Sequence, residues 1–244
     1  MSVTRRVVFL AMLAAAVFAP SAASAQWYFN GYLGGNYTQA ADIRIQQPGA
    51  GVDLTYSQVS WEAKPLEAPQ YYGYRFGHMG PKGRIGLEFE FLHLKAYAIA
   101  DEPVDVVGKI GATIVSGTER MDKRVTRYSM SHGLNFVLIN AVIKTPIPSH
   151  PGTAFVIRGG TGPTLPHGES EIFGVAQEQY EWSSFGVHGA AGLETRLAGR
   201  LLAIAEYKFT FAKPTITVAG GTGQTTAGTH QIALGLGLDL GRGR

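Results

Sequence analysis

From Arg84 to Phe91 the chain alternates. Ile85, Leu87, Phe89 and Phe91 take one parity; Arg84, Gly86, Glu88 and Glu90 take the other. A period of two sends successive side chains to opposite faces of a strand. The pattern recurs to the C-terminal end, where Ile232, Leu234, Leu236, Leu238 and Leu240 interleave with Gln231, Ala233, Gly235, Gly237 and Asp239. It predicts eight strands, near 27–40, 70–79, 84–98, 125–144, 153–168, 178–197, 201–214 and 228–240. Links after the second, fourth and sixth strands are short. Those after the first, third and seventh, 41–65, 99–124 and 215–227, are long, and 169–177 is intermediate. Short turns on one side and long loops on the other mark a transmembrane barrel. The expected fold is all-β, an eight-stranded antiparallel up-and-down transmembrane β-barrel forming one domain over 26–244.

The polar parity carries ionised groups. Arg75, Glu88, Glu90, Arg158, His188, Glu194, Arg196, Glu206 and Lys208 all point inward by phase. Eight strands enclose a lumen that side chains fill. Charges there must pair, so the expectation is a structural ion-pair core, and a transport pore is disfavoured.

Residues 1–25 read as a signal peptide: basic Arg5-Arg6, an apolar run from Val7 to Ala19, and a small-residue site at Ala23-Ser24-Ala25. Its removal is expected to leave a chain starting at Gln26 and to lower the formal charge from +3 by the two arginines, to +1. That near-neutral balance, with no basic cluster interleaved with aromatics, gives no case for nucleic acid. The chain has no cysteine, hence no disulfide framework or thiolate chemistry. Beyond the signal no apolar run is long enough for a spanning helix. The expected location is the bacterial outer membrane, as a monomer. There is no Gly-x-Ser-x-Gly elbow. Gly-Gly-Thr-Gly at 159–162 and 220–223 lacks the Lys and helix of a phosphate loop, and reads as strand bends.

Several segments resemble the outer-membrane lipid A oxidase family. They are Gln47-Pro48 through Asp53-Leu54-Thr55, Val59-Ser60-Trp61-Glu62-Ala63-Lys64, Glu67 through Arg75, Phe91-Leu92-His93-Leu94-Lys95-Ala96-Tyr97, Gly133-Leu134-Asn135, Pro166-His167-Gly168-Glu169 and Glu206-Tyr207-Lys208. They keep their order along nearly the whole chain after the signal. The resemblance implies an eight-stranded barrel that converts the proximal glucosamine of lipid A to aminogluconate, with oxygen as oxidant and a metal dependence. Two features depart: His132 stands where the family pattern has Asp, and the sequence ends Gly-Arg-Gly-Arg where outer-membrane barrels usually end in an aromatic residue.

The outward phase of the third strand, continued past Phe91, reaches His93, Lys95 and Tyr97. On the fourth strand the phase of Leu134, Phe136 and Leu138, read as outward, continues to His132. On the fifth, Phe155 and Ile157 continue to Leu165, His167 and Glu169. Each lies roughly 10–14 residues beyond its turn, about the top of the apolar belt at ~3.3 Å per residue and a tilt near 40°. A polar patch on the outer wall is therefore expected. Imidazoles and a carboxylate are competent metal ligands. His93, His132, His167 and Glu169 are the candidate ligands of a divalent metal, His93, His167 and Glu169 the candidate catalytic groups, and Lys95 and Tyr97 the candidate contacts to substrate, Lys95 to a lipid A phosphate. Expected partners are outer-membrane lipid and lipid A within lipopolysaccharide. The alternative is a non-enzymatic barrel with a structural or lipopolysaccharide-contacting role. A lipid A acyl-chain hydrolase would need a serine activated by histidine; Ser129 and Ser131 flank the region.

Overall fold

The computed structural model describes residues 26–241; the signal peptide expected over 1–25 lies outside them. Sixteen strands run in chain order: β1 (Gln26–Thr38), β2 (Ala41–Gln47), β3 (Val52–Val59), β4 (Trp61–Glu62), β5 (Tyr72–Met79), β6 (Ile85–Ala98), β7 (Pro103–Ile110), β8 (Thr113–Arg120), β9 (Val125–Pro146), β10 (Thr153–Ile172), β11 (Val175–Tyr180), β12 (Phe185–Ala198), β13 (Leu201–Ala212), β14 (Thr215–Val218), β15 (Gly221–Thr225) and β16 (Ala227–Asp239). Eight of them close a ring, β1-β5-β6-β9-β10-β12-β13-β16, with β16 returning to β1 and every pair antiparallel. This is the expected barrel, strand for strand, with one interruption. The sixth strand does not run unbroken from 178. Val175–Tyr180 turns back as a hairpin on β10, and the wall resumes only at Phe185.

The outside is the reverse of a soluble surface. Ile85, Leu87, Phe89, Ile139, Ile143, Phe155, Ile157, Leu234 and Leu236 are all exposed. So large an apolar band has a stable place only against lipid. Trp27 stacks on Phe76 at 5.0 Å near the short turns. Tyr37, Tyr207 and Phe209 gather round His230 at the other end. Aromatic rings at both rims are what membrane interfaces favour. The barrel is that of an outer-membrane protein.

The lumen is a continuous ion-pair network. Arg75 Nε donates to Glu90 at 3.0 Å and its terminal nitrogens to Glu206. Arg158 reaches Glu88 at 3.2 Å, Glu194 at 2.5 Å and Glu206 at 2.6 Å. Lys208 donates to Glu90. Asn140 gives its amide hydrogens to Glu88 and Glu90, and accepts from His188 at 2.7 Å. Arg196 differs. It sits half-exposed at the mouth beside the short turns and pairs with Asp239 at 3.5 Å, not with a lumen carboxylate.

Two expectations are corrected. The long polar links are not structureless. They supply β2, β3, β7, β8, β14 and β15, a six-stranded sheet in the order β14-β15-β2-β3-β7-β8. Its inner face, with Ile43, Ile45, Leu54, Tyr56, Val106 and Ile216, shares one core with Leu92, Leu94, Tyr128 and Leu134 at the barrel top. Its outer face is polar. Arg44 there grips Asp53 through two bonds of 2.8 and 2.9 Å, which holds the Asp53 carboxyl below its usual range. The second correction is the phase of β9. Leu134, Phe136 and Leu138 are fully buried and face inward, whereas Ile139 and Ile143 face lipid.

Candidate functional site

With that phase His132 belongs on the inside, yet its side chain is 55% exposed. The register explains this. Against β6, β9 steps from Leu134↔Leu94 to Met130↔Ala96; against β10, from Leu134↔Pro166 to Met130↔Gly168. Ser131, His132 and Gly133 together therefore face one residue on each side, Lys95 and His167. Extra residues in one strand bend it out of the ladder and re-aim a side chain, and the middle residue, His132, swings outward. Gly133 makes the bulge possible. Its φ is +107°, and a Cβ there would lie 2.4 Å from His93 Nδ1. Gly133→Ala is thus expected to cost about 1–3 kcal/mol locally and to displace His93 and His132. Histidine NMR shifts that move while the barrel stays folded would show it; unchanged shifts would contradict it.

The bulge brings three of the four expected ligands together. The ligating atoms of His132, His167 and Glu169 all lie within 4.8 Å of one another. His132 Nδ1 is 3.3 Å and His167 Nδ1 3.5 Å from Glu169 Oε1. The two imidazoles meet edge to face with centroids 4.7 Å apart. Tyr180 packs on His167 at 4.3 Å and donates to the His132 carbonyl at 3.4 Å. Hence the β11 hairpin holds the His167 ring and the His132 backbone. His167 Nδ1 is buried without a hydrogen-bond partner. Two imidazoles, one of them with an orphaned ring nitrogen, and a carboxylate fit a divalent cation.

His93 is not in this cluster. It lies behind the bulge, stacked on Tyr72 at 4.8 Å. Asn135 donates to the Leu165 carbonyl at 2.9 Å and turns its oxygen to His93 Nδ1 at 2.8 Å. That bond puts the proton on Nδ1 and leaves a lone pair on Nε2, which is buried and unpartnered. Lys95, expected on the outer wall, is covered: it is 1% exposed, and its ammonium donates to the Glu67 carbonyl at 2.9 Å. It is not free to meet a phosphate. Tyr97 is half-buried, its hydroxyl 3.4 Å from the Ser131 carbonyl. Lys64 lies over its ring at 5.1 Å.

Two contributors were not among the expected site residues. Arg127 lies 3.9 Å from Glu169 and is exposed, and Lys64 flanks Tyr97. Ser131, weighed only as a hydrolase serine, donates to Glu169. Arg127 and Glu169 are outward by parity on β9 and β10, so correct phasing of β9 would have suggested that pair. The serine arrangement is not a hydrolase relay. Ser131 Oγ and Glu169 both meet the same nitrogen, His132 Nδ1, and the serine proton goes to the carboxylate. Ser129 Oγ is buried without a partner.

The sequence matches no protein-family model and no curated relative. Among solved structures, similar chains include Neisserial surface protein A, 7% identical with a TM-score of 0.41, over 88% of this chain and 97% of that one. Ail of Yersinia pestis, in complex with the heparin analogue sucrose octasulfate, is 11% identical with a TM-score of 0.35, over 88% and 99%. The outer membrane protease OmpT from Escherichia coli is 7% identical with a TM-score of 0.46, over 92% and 100%. Likeness at this level says nothing of activity. The assignment to the outer membrane stands on the closed ring of strands, the lipid-facing belt and the aromatic rims of this chain itself.

Proposed function

We propose that this outer-membrane barrel acts on lipid A at the outward bulge, oxidising the proximal glucosamine to aminogluconate. The observation that carries the reading is the convergence of His132, His167 and Glu169 on the outer wall just above the lipid-facing belt, where lipid A headgroups lie. His132, His167 and Glu169 would hold a divalent metal. When bound, a redox-capable ion would supply the one-electron steps that allow a sugar to react with dioxygen. In balance, on lipid A whose reducing-end C1 carries a free hydroxyl and no phosphate, C1 loses its hydrogen and its hydroxyl proton with two electrons. Dioxygen takes up both and becomes hydrogen peroxide, and water opens the resulting lactone to the acid.

The remaining residues bind and orient. Tyr97, Ser129 and Glu169 lie in one register across three strands, so Tyr97 lies beside the cluster. Arg127 and Lys64, not the covered Lys95, are the cations available to a lipid A phosphate. Tyr180 shields His167 from water. His93, behind Gly133, is a positioning residue that supports the bulge.

A second reading is a barrel that contacts lipopolysaccharide without reaction. It is favoured by the engagement of Glu169 with Ser131 and Arg127, which gives a polar girdle satisfied without metal. Purified protein incubated aerobically with lipid A whose reducing-end C1 hydroxyl is free of phosphate separates the two. Oxidation is expected as a gain of one oxygen mass on the reducing-end sugar, with stoichiometric peroxide, lost on chelation and restored by added metal. Unaltered lipid A across divalent metals would leave the contact reading.

A further inference from the structure

The outer wall carries a second feature on another side of the barrel. Along β1 the lipid-facing positions are Leu33, Gly35 and Tyr37. Across the strand pair, Leu33 faces Leu234 and Gly35 faces Ile232. Glycine leaves a gap at 35 in an otherwise continuous apolar row. A Cβ built there would meet only Pro65, at 3.8 Å. Pro65 and Leu66 belong to the segment between β4 and β5, which hangs over this part of the wall. The result is a roofed apolar slot lined by Leu33, Gly35, Pro65, Leu66, Ile232 and Leu234.

Three observations indicate what fills it. The slot is continuous with the lipid-facing belt, because Ile232 and Leu234 are 62% and 63% exposed and lead directly into Leu236 and Leu238. Leu66 in the roof is 87% exposed, a costly placement against water and a favourable one against hydrocarbon. Finally, the slot lies just below the aromatic rim of Tyr37 and His230, so it opens to the end of the hydrocarbon layer nearest the headgroups.

We propose that this slot binds one acyl chain of an outer-leaflet lipid. The glycine provides the width, the Pro65-Leu66 roof keeps the chain against the wall, and Ile232 and Leu234 line its length. The roof also touches the other side of the barrel. Glu67, next in sequence, accepts from Lys95, and Lys64, just before, covers Tyr97. Asn36 donates to the Lys95 carbonyl at 3.1 Å, which ties the slot strand directly to β6. Through this roof, a lipid held by its tail in the slot neighbours the Lys64–Tyr97 contact beside the candidate cluster. In that respect the inference rests on the proposed reaction; tail binding itself does not.

The test uses the full-length protein in vesicles containing a glycerophospholipid with a diazirine in one acyl chain, with attachment sites mapped by peptide mass spectrometry. Labelling is expected to concentrate at Pro65, Leu66 and Ile232 several-fold over Ile139 and Ile143, which are exposed on the lipid-facing belt away from this slot. Gly35→Phe should fill the gap and bring slot labelling down to the level at Ile139 without changing the latter. Gly35→Ala and Leu66→Asp serve as milder variants in case Gly35→Phe does not insert. Uniform labelling round the belt, or an unchanged pattern in folded Gly35→Phe, Gly35→Ala and Leu66→Asp alike, would overturn the proposal. Since the readout is attachment and not turnover, preferential labelling with no oxidation would leave the slot standing and remove the reaction.

Discussion

Arg158→Met is expected to destabilise the barrel by about 3–5 kcal/mol, the range for removing one partner of a buried ion pair. It is the largest effect on folding anticipated for a single change. Among the described residues, Arg158 is the one cation that reaches Glu88, Glu194 and Glu206 together, and its side chain is 1% exposed. Methionine fills comparable volume, so the loss is charge and hydrogen bonding, not a cavity. Three carboxylates then share Arg75, Lys144 and the amide of Asn140. A double change, Arg158→Met with Glu194→Gln, removes one charge of each sign and is expected to recover part of the loss. Urea unfolding from vesicles, followed by tryptophan fluorescence, measures both. If Arg158→Met unfolds within 1 kcal/mol of the parent (under a third of the smallest expected loss), then the lumen is hydrated enough to screen its charges, and the packed-interior account fails.

Arg158 also shows how far the sequence could be read. Alternation placed it inward with Glu88, Glu90 and Glu206, and the closed barrel follows once that parity is joined to described residues among which no helix is long and apolar enough to cross a membrane. The same alternation in Ile43, Ile45, Leu54, Tyr56 and Val106 indicates strands too. What it lacks is any sign of their partners. β2 pairs with β15 across nearly the full chain, and β3 with β7 across the intervening wall strands. Pairing between loops so far apart is a tertiary outcome that local pattern does not encode. Arg196 failed for a simpler reason. Phase gives the face of a strand but not the depth, and its position at the mouth leaves it in reach of solvent and Asp239.

The site was legible for two reasons, one sound and one compensating. His167 and Glu169 follow from the parity of Phe155 and Ile157, which face lipid as expected. His132 was placed on the outer wall from a phase of β9 that is inverted. It reaches the wall because the Ser131–Gly133 bulge carries two more residues than the ladder needs. Nothing in the alternation marks the bulge, as two added residues preserve parity on either side. Gly133 within a Ser-His-Gly run is the local sign, since glycine inside a strand points to a bulge or to close approach by another group, here the ring of His93.

Metal binding provides the second large effect. His167→Ala and Glu169→Gln are each expected to weaken divalent-metal binding at least 100-fold, and to reduce lipid A oxidation as far. His167 contributes the orphaned Nδ1, and Glu169 the carboxylate that both imidazoles approach. His132→Asp is the informative contrast. It replaces imidazole by carboxylate at the exposed position, where the resembling family has Asp, and is expected to retain binding within about tenfold, the smaller end of the effects seen when a ligand's surroundings change. His93→Ala leaves all three ligand atoms in place. It is expected to keep most of the metal affinity and to lower turnover through a looser bulge. Titration calorimetry with Mn(II), Fe(II) under nitrogen, and Zn(II) reads affinity apart from activity, and mass spectrometry of lipid A reads turnover. Should His167→Ala and Glu169→Gln bind metal as tightly as the parent, the cluster is a polar girdle and the reaction, if present, belongs elsewhere. Should His93→Ala abolish binding while His167→Ala does not, the ligand set lies behind the bulge, around the unpartnered Nε2 of His93.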